Sequence, residues 1–130
     1  MNNKSKINDI LNNYEKDDRS LNNLEKLLNN GKLAGTGKLI IYPVDQGFEH
    51  GPDRSFSINP AAYDPHYHFK FAIDAGMSAF AAPLGMIEAS ADTFAGQIPT
   101  IMKLNSSNSL SREKDAPCQA ITGSVQEALR

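Results

Sequence analysis

Three short apolar runs, separated by helix-like segments, most strongly constrain what this chain can fold into. The runs are 39–42, 78–83 and 98–105, and their β-branched, aromatic and aliphatic residues predict buried β-strands. Segments 65–76 and 87–96 lie between them and are predicted helices, each closed by a glycine. Strands that alternate with helices indicate parallel βαβ units. The predicted fold class is therefore α/β, either as an open sheet or as part of a barrel.

Two further helices are predicted before the first apolar run. Apolar residues spaced by three and four positions from Ile7 to Tyr14 indicate a short amphipathic helix. A second helix is predicted to begin with Ser20 as its N-cap and to end at Gly31 in the left-handed conformation. We expect residues 1–37 to form a helical extension that packs against the rest of the chain.

Composition narrows the classes of partner. The chain has 130 residues, of which 40% are apolar, and its formal net charge is −2. That charge gives no reason to expect nucleic acid or a membrane surface as a partner. The sequence has no run of roughly 18 apolar residues, the length that a membrane span needs. The N-terminus does not resemble a signal peptide. The single cysteine, Cys118, suits a reducing compartment, so the expected location is the cytoplasm.

Ionisable residues follow two of the predicted strands. Asp45 comes directly after the first apolar run, with Glu49 and His50 in the same loop, and Lys103 stands near the end of the third. The carboxyl ends of parallel strands meet at one edge, where α/β folds place their chemistry. Residue type alone leaves other roles open for Asp45 and Lys103: a carboxylate that caps a turn, and an exposed lysine.

A metal site is a further alternative in the loop after the first strand. Glu49, His50 and Asp53 carry ligand atoms, and His66 or His68 would have to complete the set. Those two histidines are two positions apart on a predicted helix, so they point about 200° apart and cannot face the same ion. We expect no metal. A hydrogen bond from His50 to a neighbouring carboxylate is the simpler role.

Four motifs, in this order, resemble a known family: LAGTGKLIIYPVDQGFEHGP, NPAAYDP, AIDAGMSAFAAPLG and GQIPTIMKLN. The chain from about Leu27 to Arg130 is similar to the N-terminal part of class I fructose-bisphosphate aldolases of the bacterial and archaeal (DhnA) type. The resemblance implies a (β/α)₈ TIM barrel, which typically needs roughly 250 residues. Residues 38–130 would then supply its first three βα units, after the short N-terminal helices, as an incomplete barrel.

The resemblance also implies an activity and roles for single residues. These enzymes act in glycolysis and gluconeogenesis, cleaving fructose 1,6-bisphosphate to dihydroxyacetone phosphate and glyceraldehyde 3-phosphate through a lysine Schiff base. They use no cofactor, and full-length relatives are expected to be homo-oligomers. Asp45 matches the catalytic aspartate that contacts substrate hydroxyls, and Lys103 matches a substrate-contacting cation. His50 and Glu49 would support them.

The family's Schiff-base lysine lies on strand 6, which these 130 residues are not expected to include. We therefore expect the chain to be inactive by itself. Two alternatives stay open. The substrate could be another phosphorylated sugar of a DhnA-type aldolase or transaldolase-like synthase, or the chain could be a truncated product without enzymatic activity.

Overall fold

A parallel three-stranded sheet lies at the centre of the chain. In the computed structural model, residues 3–14, 17–46, 49, 54–108 and 118–129 are described. Strands β1 (Ile41–Pro43), β2 (Ala79–Pro83) and β3 (Thr100–Lys103) stand in the order β1-β2-β3. Both pairings are parallel. The predicted α/β class and the parallel arrangement are confirmed.

Helices precede, connect and follow these strands, and a small antiparallel pair lies beyond the sheet. The pair joins β4 (Asn105–Ser106) to β5 (Ala120–Ile121). No described helix is long and apolar enough to cross a bilayer. The α-helices are α1 (Asn3–Asn12), α2 (Asp18–Leu28), α3 (Pro65–Ala75), α4 (Leu84–Glu88), α5 (Ala91–Phe94) and α6 (Val125–Ala128).

Helix α3 has the sequence signals of both of its ends. The Asp64 carboxylate accepts a hydrogen bond from the backbone N–H of His66, and Pro65 occupies the first turn, where its missing N–H costs nothing. Gly76 ends the helix at φ 70°, in the left-handed region that glycine adopts without strain. The helix predicted over 65–76 is confirmed.

Helix α2 begins earlier than predicted. Asp17, not Ser20, is its N-cap, and the Asp17 carboxylate accepts hydrogen bonds from the backbone N–H groups of Arg19 and Ser20. The backbone hydrogen bond from Ser20 is the largest cause that lowers the pKa of Asp17. The prediction of Ser20 as the cap was wrong because two suitable residues stood close together. Gly31 does adopt the predicted left-handed conformation, with φ 74°. The prediction that the helix ends at Gly31 was wrong, because α2 already ends at Leu28, with Asn29 as its C-cap.

The segment predicted as one helix over 87–96 is two short helices. Helix α4 begins at Leu84, three positions before the predicted start, and includes Gly85. Ser90 interrupts the segment at φ −122° and ψ 3°, and α5 follows. Ser90 is completely buried. Tertiary packing around Ser90 therefore overrides the continuous helix that its neighbours favour.

The hydrophobic core lies between α3 and one face of the sheet. Phe69 of α3 packs edge-on against Phe80 of β2, with ring centroids 4.5 Å apart. Phe69 also stacks on Phe94 of α5. Burial of such rings is the main favourable term in folding. The buried core cluster comprises Val44, Phe69, Ala72, Phe80, Ala82 and Ile98.

The first apolar run is less buried than predicted. Leu39, Ile40 and Ile41 are 37–41% exposed. Leu39 and Ile40 precede β1, and Ile41 alternates with Tyr42, whose ring contacts Phe80 in the core. The prediction of a buried strand over 39–42 was wrong because α3 covers only one face of the described sheet.

The segment that follows α2 contacts the residues that directly precede β2. The Asn30 side chain donates hydrogen bonds to the backbone oxygens of Met77 and Ser78, at 3.0 and 3.1 Å. The Lys32 backbone N–H donates to the oxygen of Gly76 at 2.7 Å. Leu28 is buried. Residues 28–32 thus connect α2 to the amino ends of the strands, which lie opposite the candidate site.

Candidate active site

The register of the sheet places Asp45 and Lys103 in one row. Pro43 pairs with Ala81, and Pro83 pairs with Lys103. The hydrogen bond from the Val44 N–H to the Ala81 oxygen continues the first pairing beyond β1. Two residues after Pro43, Asp45 therefore comes level with Pro83 and Lys103. Paired residues of neighbouring strands point to the same face of a sheet.

Burial of Val44 determines which face Asp45 uses. Val44 is 2% exposed and belongs to the core on the α3 side of the sheet. Successive side chains of an extended chain alternate between faces, so Asp45 points to the face away from α3. Its side chain is 33% exposed and that of Lys103 is 27% exposed. Both functional groups lie at the carboxyl edge, where the sequence predicted them.

Lys103 joins two carboxylates. Its Nζ donates a hydrogen bond to Oδ1 of Asp45 at 2.9 Å, and a second to Oε2 of Glu49. Glu49 is held above the strand end because its backbone N–H donates to the Asp45 oxygen at 3.1 Å. The structure thus brings together three of the predicted site residues: Asp45, Glu49 and Lys103.

These contacts keep Lys103 positively charged. Burial by itself lowers the pKa of Lys103, but the hydrogen bonds that Lys103 donates to Glu49 and Asp45, together with the negative charges of these carboxylates, outweigh it, so the pKa is raised above its ordinary value of 10.5. A lysine ammonium has three N–H donors and no acceptor. Among the described residues, Asp45 and Glu49 take two of them, which leaves one for a ligand oxygen.

Sequence reasoning did not identify Ser106 as a member of this cluster. Its hydroxyl donates to Oε2 of Glu49 at 2.9 Å, and Ser106 is 3% exposed. The contact joins residues 57 positions apart. The available signal was its place just beyond Lys103, at the same strand end.

Of the other predicted site residues, His66 and His68 do not join the cluster. His50 and Asp53 lie outside the described residues. His66 and His68 diverge as predicted: His66 Nδ1 lies 2.9 Å from Oδ1 of Asp64, while His68 turns into the core. Within the described part of the chain, no group of three His, Cys, Asp or Glu side chains could hold a metal ion.

His68 has a structural role that the sequence did not reveal. Its Nε2 lies 2.8 Å from the Ala62 backbone oxygen, which can only accept, so Nε2 carries the proton. Nδ1 then accepts from the Tyr42 hydroxyl at 3.2 Å. Burial, followed by the charge of Tyr67, raises the pKa of Tyr42. These contacts attach β1 to α3 below the site.

Curated relatives carry aldolase names. The chain is 40% identical over 97 residues to the "Probable fructose-bisphosphate aldolase class 1" of Chlamydia pneumoniae. The matched segment covers 75% of this chain and 28% of that protein. The chain is 38% identical over 97 residues to the "Fructose-bisphosphate aldolase class 1" of Thermoproteus tenax, covering 75% of this chain and 35% of the relative. The chain thus spans about a third of the length of these relatives or less. No solved structure gives a significant match.

A family model covers the sheet and its strand ends. The model described as DeoC/LacD family aldolase matches residues 39–130, which contain all three strands and the cluster at Lys103. The resemblance inferred from the sequence motifs is confirmed by this match and by the curated relatives. The chain belongs to the DeoC/LacD family of aldolases.

Proposed function

We propose that residues 38–130 form the first three βα units of a class I fructose-bisphosphate aldolase barrel, and that residues 1–37 are a helical extension. The proposed reaction is the cleavage of fructose 1,6-bisphosphate to dihydroxyacetone phosphate and glyceraldehyde 3-phosphate. The names of the relatives and a family match that begins at residue 39 support this proposal. The observation that carries it is the Asp45–Lys103 ion pair at the carboxyl edge of the parallel sheet.

In the proposal, Asp45 and Lys103 bind the sugar rather than form a covalent bond with it. A Schiff base begins with attack by a neutral amine. The raised pKa of Lys103 keeps its amine protonated at neutral pH, which disfavours that role. The remaining N–H donor of Lys103 can contact a substrate oxygen, and Asp45 can accept a hydrogen bond from a sugar hydroxyl. The Schiff-base lysine would come from a later strand of the barrel.

The exposed face of the sheet would be the interior of the barrel. Ile41 and Ile101 are 41% and 37% exposed, and their positions alternate with those of the core-facing residues. TIM-barrel interiors are filled by branched apolar side chains from alternate strands. Ile41 and Ile101 lie on the same face of the sheet as Asp45 and Lys103. Further strands of the barrel would cover this face.

The cellular setting is part of the same proposal. The substrate would be a phosphorylated sugar, and the complete enzyme would act in the cytoplasm as a homo-oligomer in glycolysis and gluconeogenesis. The exposed thiol of Cys118 would stay reduced in that compartment.

A chimera provides the catalytic test. The matching segment of the Thermoproteus tenax relative is replaced by the corresponding residues of this chain. We expect the chimera to cleave fructose 1,6-bisphosphate, and Asp45→Asn or Lys103→Met to lower kcat by about 10²-fold or more. Lys38→Met, an exposed lysine before β1, is the control. Cleavage at the unsubstituted rate by both site variants would refute the assigned roles, and preference for another phosphorylated sugar would favour the alternative substrate.

Trapping with borohydride tests the covalent step separately. The 130-residue chain is incubated with dihydroxyacetone phosphate and borohydride, and its peptides are weighed by mass spectrometry. We expect no stable adduct on Lys103, because its amine is protonated. An adduct on Lys103 would show that this lysine is the nucleophile.

A further inference from the structure

Two donors among the described residues converge on one oxygen of Glu49. Lys103 Nζ and Ser106 Oγ each donate a hydrogen bond to Oε2, the latter at 2.9 Å. The Glu49 side chain is 20% exposed. A partly buried carboxylate that accepts two hydrogen bonds on one oxygen has little freedom to rotate away from either donor.

Ser106 is more deeply buried than Glu49, to which it donates a hydrogen bond. It is 3% exposed, and its strand β4 pairs with β5 through Asn105–Ile121 and Ser106–Ala120. Its hydroxyl is neutral, so it orients the Glu49 carboxylate without competing with Lys103 for negative charge.

Lys103 needs such support. A lysine side chain is a flexible four-carbon stem that ends in a point charge, and it reaches its partners through several rotatable bonds. Asp45 holds the ammonium from the end of β1, and Glu49 holds it from the loop that follows. The two carboxylates therefore restrict it from two sides.

We propose that Ser106 and Glu49 are positioning residues for Lys103: the Ser106 hydroxyl fixes the Glu49 carboxylate, which fixes the Lys103 ammonium beside Asp45. This assignment rests on the proposed function, in which Lys103 contacts the sugar. It gives the aldolase site one residue that the sequence analysis did not name and defines how a second one acts. The linkage connects the loop after β1 to the segment that follows β3.

The test measures Lys103 directly in the 130-residue chain, by NMR with lysine labelled at Cε. Glu49→Gln removes one carboxylate, so the pKa of Lys103 should fall toward 10.5. Ser106→Ala keeps both carboxylates but removes one hydrogen-bond donor to Glu49, so the Lys103 Cε signal should show greater mobility. Ser106→Thr retains the hydroxyl and should restore the mobility of the original chain. Ser107→Ala is the neighbouring control and should leave the signal unchanged.

The outcomes separate positioning from simple stabilisation. If Ser106→Ala lowers the urea midpoint but leaves the mobility of Lys103 unchanged, Ser106 only stabilises the fold and the proposal is wrong. An unchanged Lys103 pKa in Glu49→Gln would also overturn the proposal. This second measurement still tests the proposal if Ser106→Ala does not fold. No sugar phosphate is present, so neither result depends on whether the proposed function is correct.

Discussion

The ammonium nitrogen of Lys103 lies 2.9 Å from Oδ1 of Asp45, although 58 positions of sequence and one complete strand separate them. Neighbouring strands are about 4.8 Å apart, so β1 and β3 are about 10 Å apart across β2. The long lysine side chain spans most of that distance. The pair therefore connects two strands that share no backbone hydrogen bonds.

Removal of Lys103 should destabilise the chain at neutral pH and much less at alkaline pH. Lys103→Met leaves Asp45 and Glu49 without their shared cation, which should cost about 1–3 kcal/mol of unfolding free energy. The folded pKa of Lys103 is raised, so its stabilisation is fully present below the unfolded pKa and is lost as pH rises through the folded pKa. Urea unfolding of the two chains at several pH values from about 8 to about 12 measures the difference. A difference that does not shrink as pH rises through this range would contradict the pairing.

Phe69 and Phe71 lie on the same helix and should respond differently to truncation. Phe69 is 2% exposed and contacts Phe80 in the core, whereas Phe71 is 43% exposed. Phe69→Ala should reduce the unfolding free energy by about 3–5 kcal/mol through lost burial and a cavity. Phe71→Ala should cost about 1 kcal/mol, because it loses only contacts at the surface. Equal urea midpoints for the two variants would disprove the orientation of α3.

The buried histidine should tolerate substitution less than the exposed one. His68→Phe preserves a ring but leaves the Ala62 oxygen and the Tyr42 hydroxyl without their partner, at a cost of about 1–3 kcal/mol. His66→Phe, on the exposed side of the same helix, should change the unfolding free energy by about 0.5 kcal/mol or less. Thermal unfolding of the two variants gives the comparison, and a larger loss for His66→Phe would reverse the assignment.

Gly31 should be irreplaceable for two reasons, of which only one applies to Gly96. Both have positive φ, at 74° and 78°, where an L-residue is strained. A Cβ at Gly31 would also collide with the backbone oxygens of Gly76 and Met77, whereas a Cβ at Gly96 would meet nothing within 4 Å. Gly96→Ala should cost about 1–2 kcal/mol. Gly31→Ala should cost clearly more in the same urea titration, and equal costs would argue against the close contact.

Local sequence signals were sufficient to predict an element when the residues that begin and end it lie within or next to that element. Helix α3 has a capping Asp64, Pro65 in its first turn and a terminal Gly76, and it forms as predicted. The end of β1 was placed well because turn residues follow it. The position of Asp45 at the carboxyl edge then follows from the general geometry of parallel sheets.

Other features depend on contacts that no local pattern contains. Ser90 interrupts a predicted helix because it is packed into the interior, and nothing in its neighbours indicates that. The hydrogen bond from Ser106 to Glu49 joins distant segments and exists only once β3 and the loop after β1 are in place. The Ser106–Glu49 contact follows from the fold rather than from a motif.

The shared row of Asp45, Pro83 and Lys103 has a consequence for how such a chain tolerates changes in length. Residues inserted in the loops between the strands would lengthen the connections and leave the row intact. One residue inserted within β2 would shift one of its pairings and turn the side chains beyond it to the opposite face. We therefore expect length variation among related chains to concentrate between the strands, with the strands themselves keeping constant length.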